Sequence, residues 1–181
     1  MLKSETSPYG GNHITNLLSE YVVRQLAQAK GMDVSRTPKI MHRLKILCDE
    51  AKQTLSQSEM AFVRLDGLPD ILVYGCEVSS VQFELCIKST LQQNIDLIKD
   101  TLNGIKLSKL IINGSSTKIP LFRKMLADQL KQYKFIPCNQ EWLREGLMAV
   151  KSGSVHVLDI TPFEIRIEGD EKYSCLAVSK G

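Results

Sequence analysis

Apolar side chains recur every three to four residues from Ile14 to Leu55, give way near Met60 to strand-like runs, and return to the helical period from Phe83 to Ile98. That switch and return constrains the fold more than any single motif does. Ile14, Leu17, Leu18, Tyr21, Val22 and Leu26 predict a helix capped by Asn12 and ending near Gly31. Met41, Leu44, Leu47, Cys48, Ala51 and Leu55 predict a second helix, from Pro38 to about Ser56. "MAFVRLD" and "DILVYGCEV", parted by Gly-Leu-Pro-Asp, predict a β-hairpin. Ser79 and Gln82 have capping-box spacing and open a third helix. Its buried face is Phe83, Cys86, Ile87, Thr90, Leu91, Ile95 and Ile98, and Asn103-Gly104 stops it.

Beyond that helix, "LSKLIIN" is a short apolar run that predicts a buried strand, followed by the polar turn "GSSTK" and by Pro120, which suits the first turn of a helix. That helix carries Leu121, Met125, Leu126 and Leu130, and "KFIPC" after it is strand-like. "QEWLREGLMAVKSG" predicts a last helix ending near Gly153, and "VHVLDI", "FEIRIE" and "YSCLAV" close the chain as strand-like segments. The order is mixed α/β, without internal repeat or low-complexity linker. The helices expose more apolar face than so few core strands can cover, so the chain is expected to be part of something larger.

Composition excludes several classes. A hydrophobic fraction of 43% and a charged fraction of 24% are those of an ordinary folded domain. The net charge of +3 is small and the cations lie scattered among acids, so a nucleic-acid surface is not expected. No apolar run approaches the ~20 residues of a membrane span, and "MLKSETSPYGG" lacks the apolar core of a signal peptide, so an intracellular, cytoplasmic protein is expected. Cys48, Cys76, Cys86, Cys138 and Cys175 form an odd, widely spaced set, and His13, His42 and His156 are equally dispersed. Neither a metal centre nor a disulfide framework is expected.

Two stretches carry candidate chemistry. A strand running into Gly114, Ser115, Ser116 and Thr117 and then into a helix places backbone N–H groups and hydroxyls where phosphate binds well, although plain polar turns have the same composition. Near the end of the second helix Asp49, Lys52 or Gln53, and Ser56 lie three or four residues apart on one face. Such a stripe suits a ribose and a base edge; it equally suits the solvated side of an amphipathic helix. Neither stretch assembles a nucleophile, an acid and a base together.

Taken in order, these segments resemble the second lobe of the ATPase domain of the heat shock protein 70 (DnaK-type) chaperone family. "GGNHITNLL" resembles its Gly-Gly-x-x-x-Asp helix entry, with Thr15 where the family has Asp. "RLKILCDEAKQTLSQS" resembles its Arg-Leu-x-x-x-Cys-Glu-x-Ala-Lys-x-x-Leu-Ser helix, and "VSSVQFE" its Thr-Arg-x-x-Phe-Glu segment through Phe83 and Glu84. "NGSSTKIP" resembles its Gly-Gly-Ser-Thr-Arg-Ile-Pro loop, and "VLDITPFEIRIE" its interdomain linker and the opening of its substrate-binding domain.

The resemblance implies an actin-like (ribonuclease H-like) α/β lobe over residues 1–153, with an inserted α+β subdomain at about 12–100, incomplete beside the full two-lobe domain. It implies a linker at 154–162, whose Val155, Val157 and Leu158 either dock on the lobe when nucleotide is bound or form an ordinary edge strand, and the start of a β-type substrate-binding domain at 163–181. ATP or ADP is the implied ligand, with Mg²⁺ held only through it. Asp49 then takes the place of the ribose acid, Lys52 of the ribose-side lysine, and Ser56 of the base-edge hydroxyl. Ser116 matches the serine beside the purine, Gly114 the glycine that admits the nucleotide, and Lys118 and Gln53 the two stacking arginines. Ser115 replaces a loop glycine, and "CNQEWLREGLMA" keeps the Gly146 and Ala149 positions of a family helix while Gln140 replaces its acidic start. These departures imply weakened or lost nucleotide binding. The family's Asp-Leu-Gly-Thr and Asp-Leu-Gly-Gly-Gly-Thr phosphate loops do not occur in this chain, so no catalytic residue is assigned and hydrolysis by the chain alone is not expected. The implied partners are the other lobe, co-chaperones and, in a longer chain, unfolded clients.

Overall fold

The first helical stretch folds as α1 (Gly11–Lys30) and the second as α2 (Pro38–Leu55), which pack on one another through Ile14, Leu18, Val22, Leu44, Cys48 and Ala51. The computed structural model describes residues 5–137, apart from 69, 70, 106 and 108, together with 165–168 and 174–178. They fall into two units, Met1–Pro137 and Cys138–Gly181.

Strands β1 (Met60–Leu68) and β2 (Ile71–Ser79) pair antiparallel, with Val63 opposite Cys76 and Leu65 opposite Tyr74. Alternation places Ala61, Val63, Leu65, Tyr74, Cys76 and Val78 on the buried face, and β1 lies against α2. Helix α3 (Ser80–Leu102) begins with the anticipated capping box: the Gln82 N–H donates to Ser79 Oγ, and the Ser79 N–H donates to Gln82 Oε1. Phe83, Ile87, Thr90, Leu91 and Ile95 are its buried stripe.

The remainder of this unit presents the polar turn. Strand β3 (Lys109–Ile112) pairs in parallel with β4 (Lys134–Pro137), and between them run a 3₁₀ turn, Ser115–Lys118, and α4 (Pro120–Gln129). Two reciprocal amide bonds, Gln92 Nε2 to Gln129 Oε1 at 3.0 Å and Gln129 Nε2 to Gln92 Oε1 at 2.7 Å, fasten α4 to α3. Two residues further along α3, Asn94 Nδ2 donates to the Tyr9 carbonyl at 2.9 Å and thereby holds the entry to α1. In the second unit β5 (Ile165–Glu168) and β6 (Ser174–Val178) form an antiparallel pair, as "FEIRIE" and "YSCLAV" suggested.

Two local expectations are corrected. The N-cap of α1 is Gly10, with no side-chain cap, and Asn12 lies inside the helix; an asparagine in the first turn has the same sequence signature as one just before it. The strand expected to be buried is not. Leu110 and Ile112 are half-covered while Ile111 is 64% exposed, because among the described residues β3 has only one neighbouring strand. The expected helix at 140–153, the strand and linker at 154–162, and Cys138, Gln140, Gly146 and Ala149 lie outside the described residues, as do Pro69 and Asp70 of the hairpin turn. Among the described residues, no helix is long and apolar enough to cross a membrane.

Cys48, Cys76 and Cys86 carry unpaired thiols in or beside this core. Burial pushes the Cys48 thiol up to about 11, with Cys76 adding to the rise and the Ser19 hydroxyl opposing it. At pH 8 its thiolate fraction is then roughly one in a thousand, so Cys48 should resist iodoacetamide in the folded chain and react only after denaturation. Because the folded-state value is raised, its contribution to stability is complete below the ordinary thiol range and is lost as pH rises through about 11. Mass mapping of alkylated peptides checks this; rapid native labelling of Cys48 would contradict it.

Candidate functional site

Three segments meet at one cleft of about 420 Å³: the N-terminus of α1, the C-terminal half of α2, and the 3₁₀ turn before α4. Of the eight sequence candidates, Asp49, Lys52, Gln53, Ser56, Ser115, Ser116 and Lys118 line it. The two stretches that sequence periodicity left as separate polar features thus face one space. Gly114 does not line the cleft. It is the N-cap of the 3₁₀ turn, at φ 107° and ψ 154°, a region where a side chain is strained, and it shapes the turn that presents Ser115, Ser116 and Lys118. The turn is pinned by the Thr117 hydroxyl, which donates to the Gly114 carbonyl at 2.6 Å, and by Arg123 Nε, which donates to the Thr117 carbonyl at 2.7 Å.

Sequence reasoning assigned no ligand role to Gly11, Asn12, Gln57 or Ile119, which also line the cleft. The available signal was the glycine pair at the helix entry. A Cβ on Gly11 would lie at ordinary contact distance, 3.4 Å from Ser116 Oγ and 3.7 Å from Lys52 Nζ, so Gly11 faces both α2 and the turn.

The electrostatics centre on Lys52, whose side chain is 16% exposed. Its ammonium donates to Asp49 Oδ1 at 2.5 Å, Thr15 Oγ1 at 2.8 Å and the Gly11 carbonyl at 3.2 Å. An ammonium has three N–H donors, so all three are occupied by the protein itself. Lys52 therefore orients Asp49 and lends positive charge, and it has no spare donor. Asp49 Oδ1 also accepts from Thr15, and Oδ2 accepts from Gln53 Nε2 at 3.1 Å. The Lys52 hydrogen bond, aided by Thr15 and Gln53 and opposed by partial burial, holds the Asp49 carboxyl below its ordinary range. Asp49 stays ionised at neutral pH, with acceptor capacity on Oδ2 for a ligand hydroxyl. Ser56 is the C-cap of α2 rather than a member of its face, and its hydroxyl donates to the Lys52 carbonyl at 2.9 Å. Its proton is turned back into the helix, so toward the cleft it accepts.

An ionised carboxylate, accepting and donating hydroxyls, and two lysine charges suit an anionic, polyhydroxylated ligand such as a nucleotide. Among the described residues, no group of three or more His, Cys, Asp or Glu side chains is placed to hold a metal ion.

A family model described as Hsp70 protein matches residues 4–173. Heat shock 70 kDa protein 14 of Danio rerio is 32% identical over 124 residues, covering 66% of this chain and 25% of that protein. Heat shock 70 kDa protein of Neurospora crassa is 27% identical over 124 residues, covering 66% and 19% respectively. Heat shock 70 kDa protein of Emericella nidulans is 22% identical over 176 residues, covering 88% and 27%. The chain spans about a quarter or less of the length of most of the relatives it matches.

Proposed function

The chain belongs to the Hsp70 protein family, and from that premise we propose that it provides one wall of an adenosine-nucleotide cleft in a divergent heat shock protein 70-type chaperone. The family implies an actin-like ATPase fold that takes ATP or ADP with Mg²⁺. In this reading residues 1–153 are the second lobe, with the inserted subdomain at about 12–100, the linker at 154–162 and the start of a β-type substrate-binding domain at 163–181. The observation that carries it is the convergence of α1, α2 and the 3₁₀ turn on one cleft lined by seven of the candidate residues. Asp49 Oδ2 accepts a ribose hydroxyl, Ser56 and Ser116 meet the base, and Lys52 and Lys118 offset the ligand's negative charge. Bound nucleotide would supply the phosphate chemistry and carry the Mg²⁺; this chain's residues bind and orient it. Phosphoryl transfer needs a second phosphate clamp opposite, so the chain alone does not turn over ATP. Its partners are the other lobe and co-chaperones, its clients are unfolded proteins, and its compartment is the cytoplasm. Isothermal titration calorimetry of the folded 181-residue chain with ADP and ATP tests binding: heat should be detected at millimolar nucleotide or below, and its absence would sink the proposal.

A second reading is favoured by Gln53 and Ser115. The Gln53 amide takes up Asp49 Oδ2, and Ser115 adds a Cβ to the turn, so the cleft is eroded and the chain acts as an interaction module for a co-chaperone or another lobe. Arginine at 53 and glycine at 115 would restore a stacking surface and the close approach. Under this second reading the double variant Q53R/S115G binds ADP where the parent shows no binding. Equal affinities for parent and variant, measured by the same calorimetry, would remove it.

A further inference from the structure

Thr15 sits in the interior of α1 and is 6% exposed. Threonine is a mediocre helix former, and its bond back to the Gly11 carbonyl at 3.1 Å does nothing that a buried apolar side chain would require. A buried hydroxyl needs partners, and this one has two charged ones: it accepts from Lys52 Nζ at 2.8 Å and reaches Asp49 Oδ1 at 3.0 Å. It has a single proton to give. With the ammonium donating into its lone pair, that proton is better placed on the carboxylate than on the Gly11 carbonyl, since charged acceptors bind about twice as strongly.

We infer that Thr15 is a positioning residue for the cleft, its hydroxyl locking the Lys52 ammonium and the Asp49 carboxylate into one unit seated on the first turn of α1. Because Thr15 is neutral, that unit contains one cation and one anion. An acid at position 15 would place a second carboxylate against the first. Thr15 acts through Asp49 and Lys52; it does not line the nucleotide cleft, and its effect on a ligand presupposes the adenosine cleft proposed above. The other charged or titratable groups around Asp49 are His42, Lys45 and Glu50 on its own helix and Lys118 on the 3₁₀ turn, while α1 presents Thr15, Asn12 and Asn16. No other hydroxyl reaches Asp49 and Lys52 together among the described hydrogen bonds.

The test uses the full chain with Thr15→Val, which keeps the β-branched shape and removes the hydroxyl, beside Thr15→Ser, which restores it. Thr15→Ala is a smaller alternative if the valine chain does not fold, with far-UV circular dichroism as the check. The first readout is the Asp49 carboxyl resonance followed by NMR from pH 7 to pH 2 without ligand. Its midpoint should rise in Thr15→Val and return in Thr15→Ser. The second readout is ADP affinity, expected to fall about three- to tenfold in Thr15→Val and to recover in Thr15→Ser. An unchanged Asp49 midpoint in a folded Thr15→Val chain overturns the inference. If the parent binds no ADP, the cleft proposal fails, and the ligand-free titration still decides whether Thr15 positions Asp49.

Discussion

Replacing Phe83 by alanine is expected to lower the free energy of unfolding by about 3–5 kcal/mol. Phe83 is 1% exposed, the largest fully buried side chain among the described residues, and sits in the first turn of α3, directly after the capping box that joins β2 to the helix. Removing its ring deletes transfer free energy and leaves a cavity that the hairpin, α1 and α3 close only by moving together. A loss of that size is a large share of the roughly 5–15 kcal/mol that holds a typical domain folded. Urea unfolding monitored by circular dichroism should show a lower midpoint at unchanged slope. Phe83→Leu, which keeps much of the volume, should cost under about 1.5 kcal/mol. A cost below about 1 kcal/mol for Phe83→Ala would mean that α3 is not seated on the core as described.

Lys52→Met is expected to weaken ADP binding by about 10- to 100-fold, a loss on the order of 1.5–3 kcal/mol for removing a charged hydrogen-bonding group from a part-buried site. Lys52 Nζ has no donor left for the ligand, so the effect runs through Asp49 and through lost positive charge. Methionine preserves the apolar stem that fills the space between α1 and α2. The same change releases the Asp49 carboxyl toward its ordinary range. In the parent, the depressed Asp49 value contributes stability that is complete above the ordinary carboxylate range and is lost as pH falls through the depressed value. In Lys52→Met that acid-side loss should be smaller. Competition with a fluorescent ADP analogue measures the affinity; an unchanged value would show that Lys52 is structural only.

Much of the fold was legible because its helices are long and amphipathic. The stripe Ile14, Leu18, Val22, Leu26 and the stripe Phe83, Ile87, Leu91, Ile95 are buried as their spacing requires, and Ser79 with Gln82 forms the box that their spacing announced. The 3₁₀ turn was not legible, since "SSTK" has no apolar period to mark it. The exposure of Ile111 was not legible either, because a strand's burial depends on neighbours far away in sequence. Residue types and spacing singled out Asp49, Lys52, Gln53, Ser56, Ser115 and Ser116, the family resemblance added Lys118, and the fold brings them to one space. What they could not convey is the occupancy of Lys52. Two of the three partners of its ammonium, Thr15 and the Gly11 carbonyl, come from the N-terminal part of α1, 37 and 41 residues away, and only the packing of α1 on α2 puts them there. Thr15 was noticed as a departure from the family's acid, yet its role as the bridge between Lys52 and Asp49 exists only in three dimensions.

The most direct test of the adenosine cleft is a titration of the ¹⁵N-labelled 181-residue chain with ADP, followed by amide chemical shifts. Gly11, Asn12, Lys52, Gln53, Ser116 and Lys118 should shift progressively and saturate together, while the hairpin Met60–Ser79 stays still. No shifts at millimolar ADP, or shifts confined to the hairpin and α3, would contradict it.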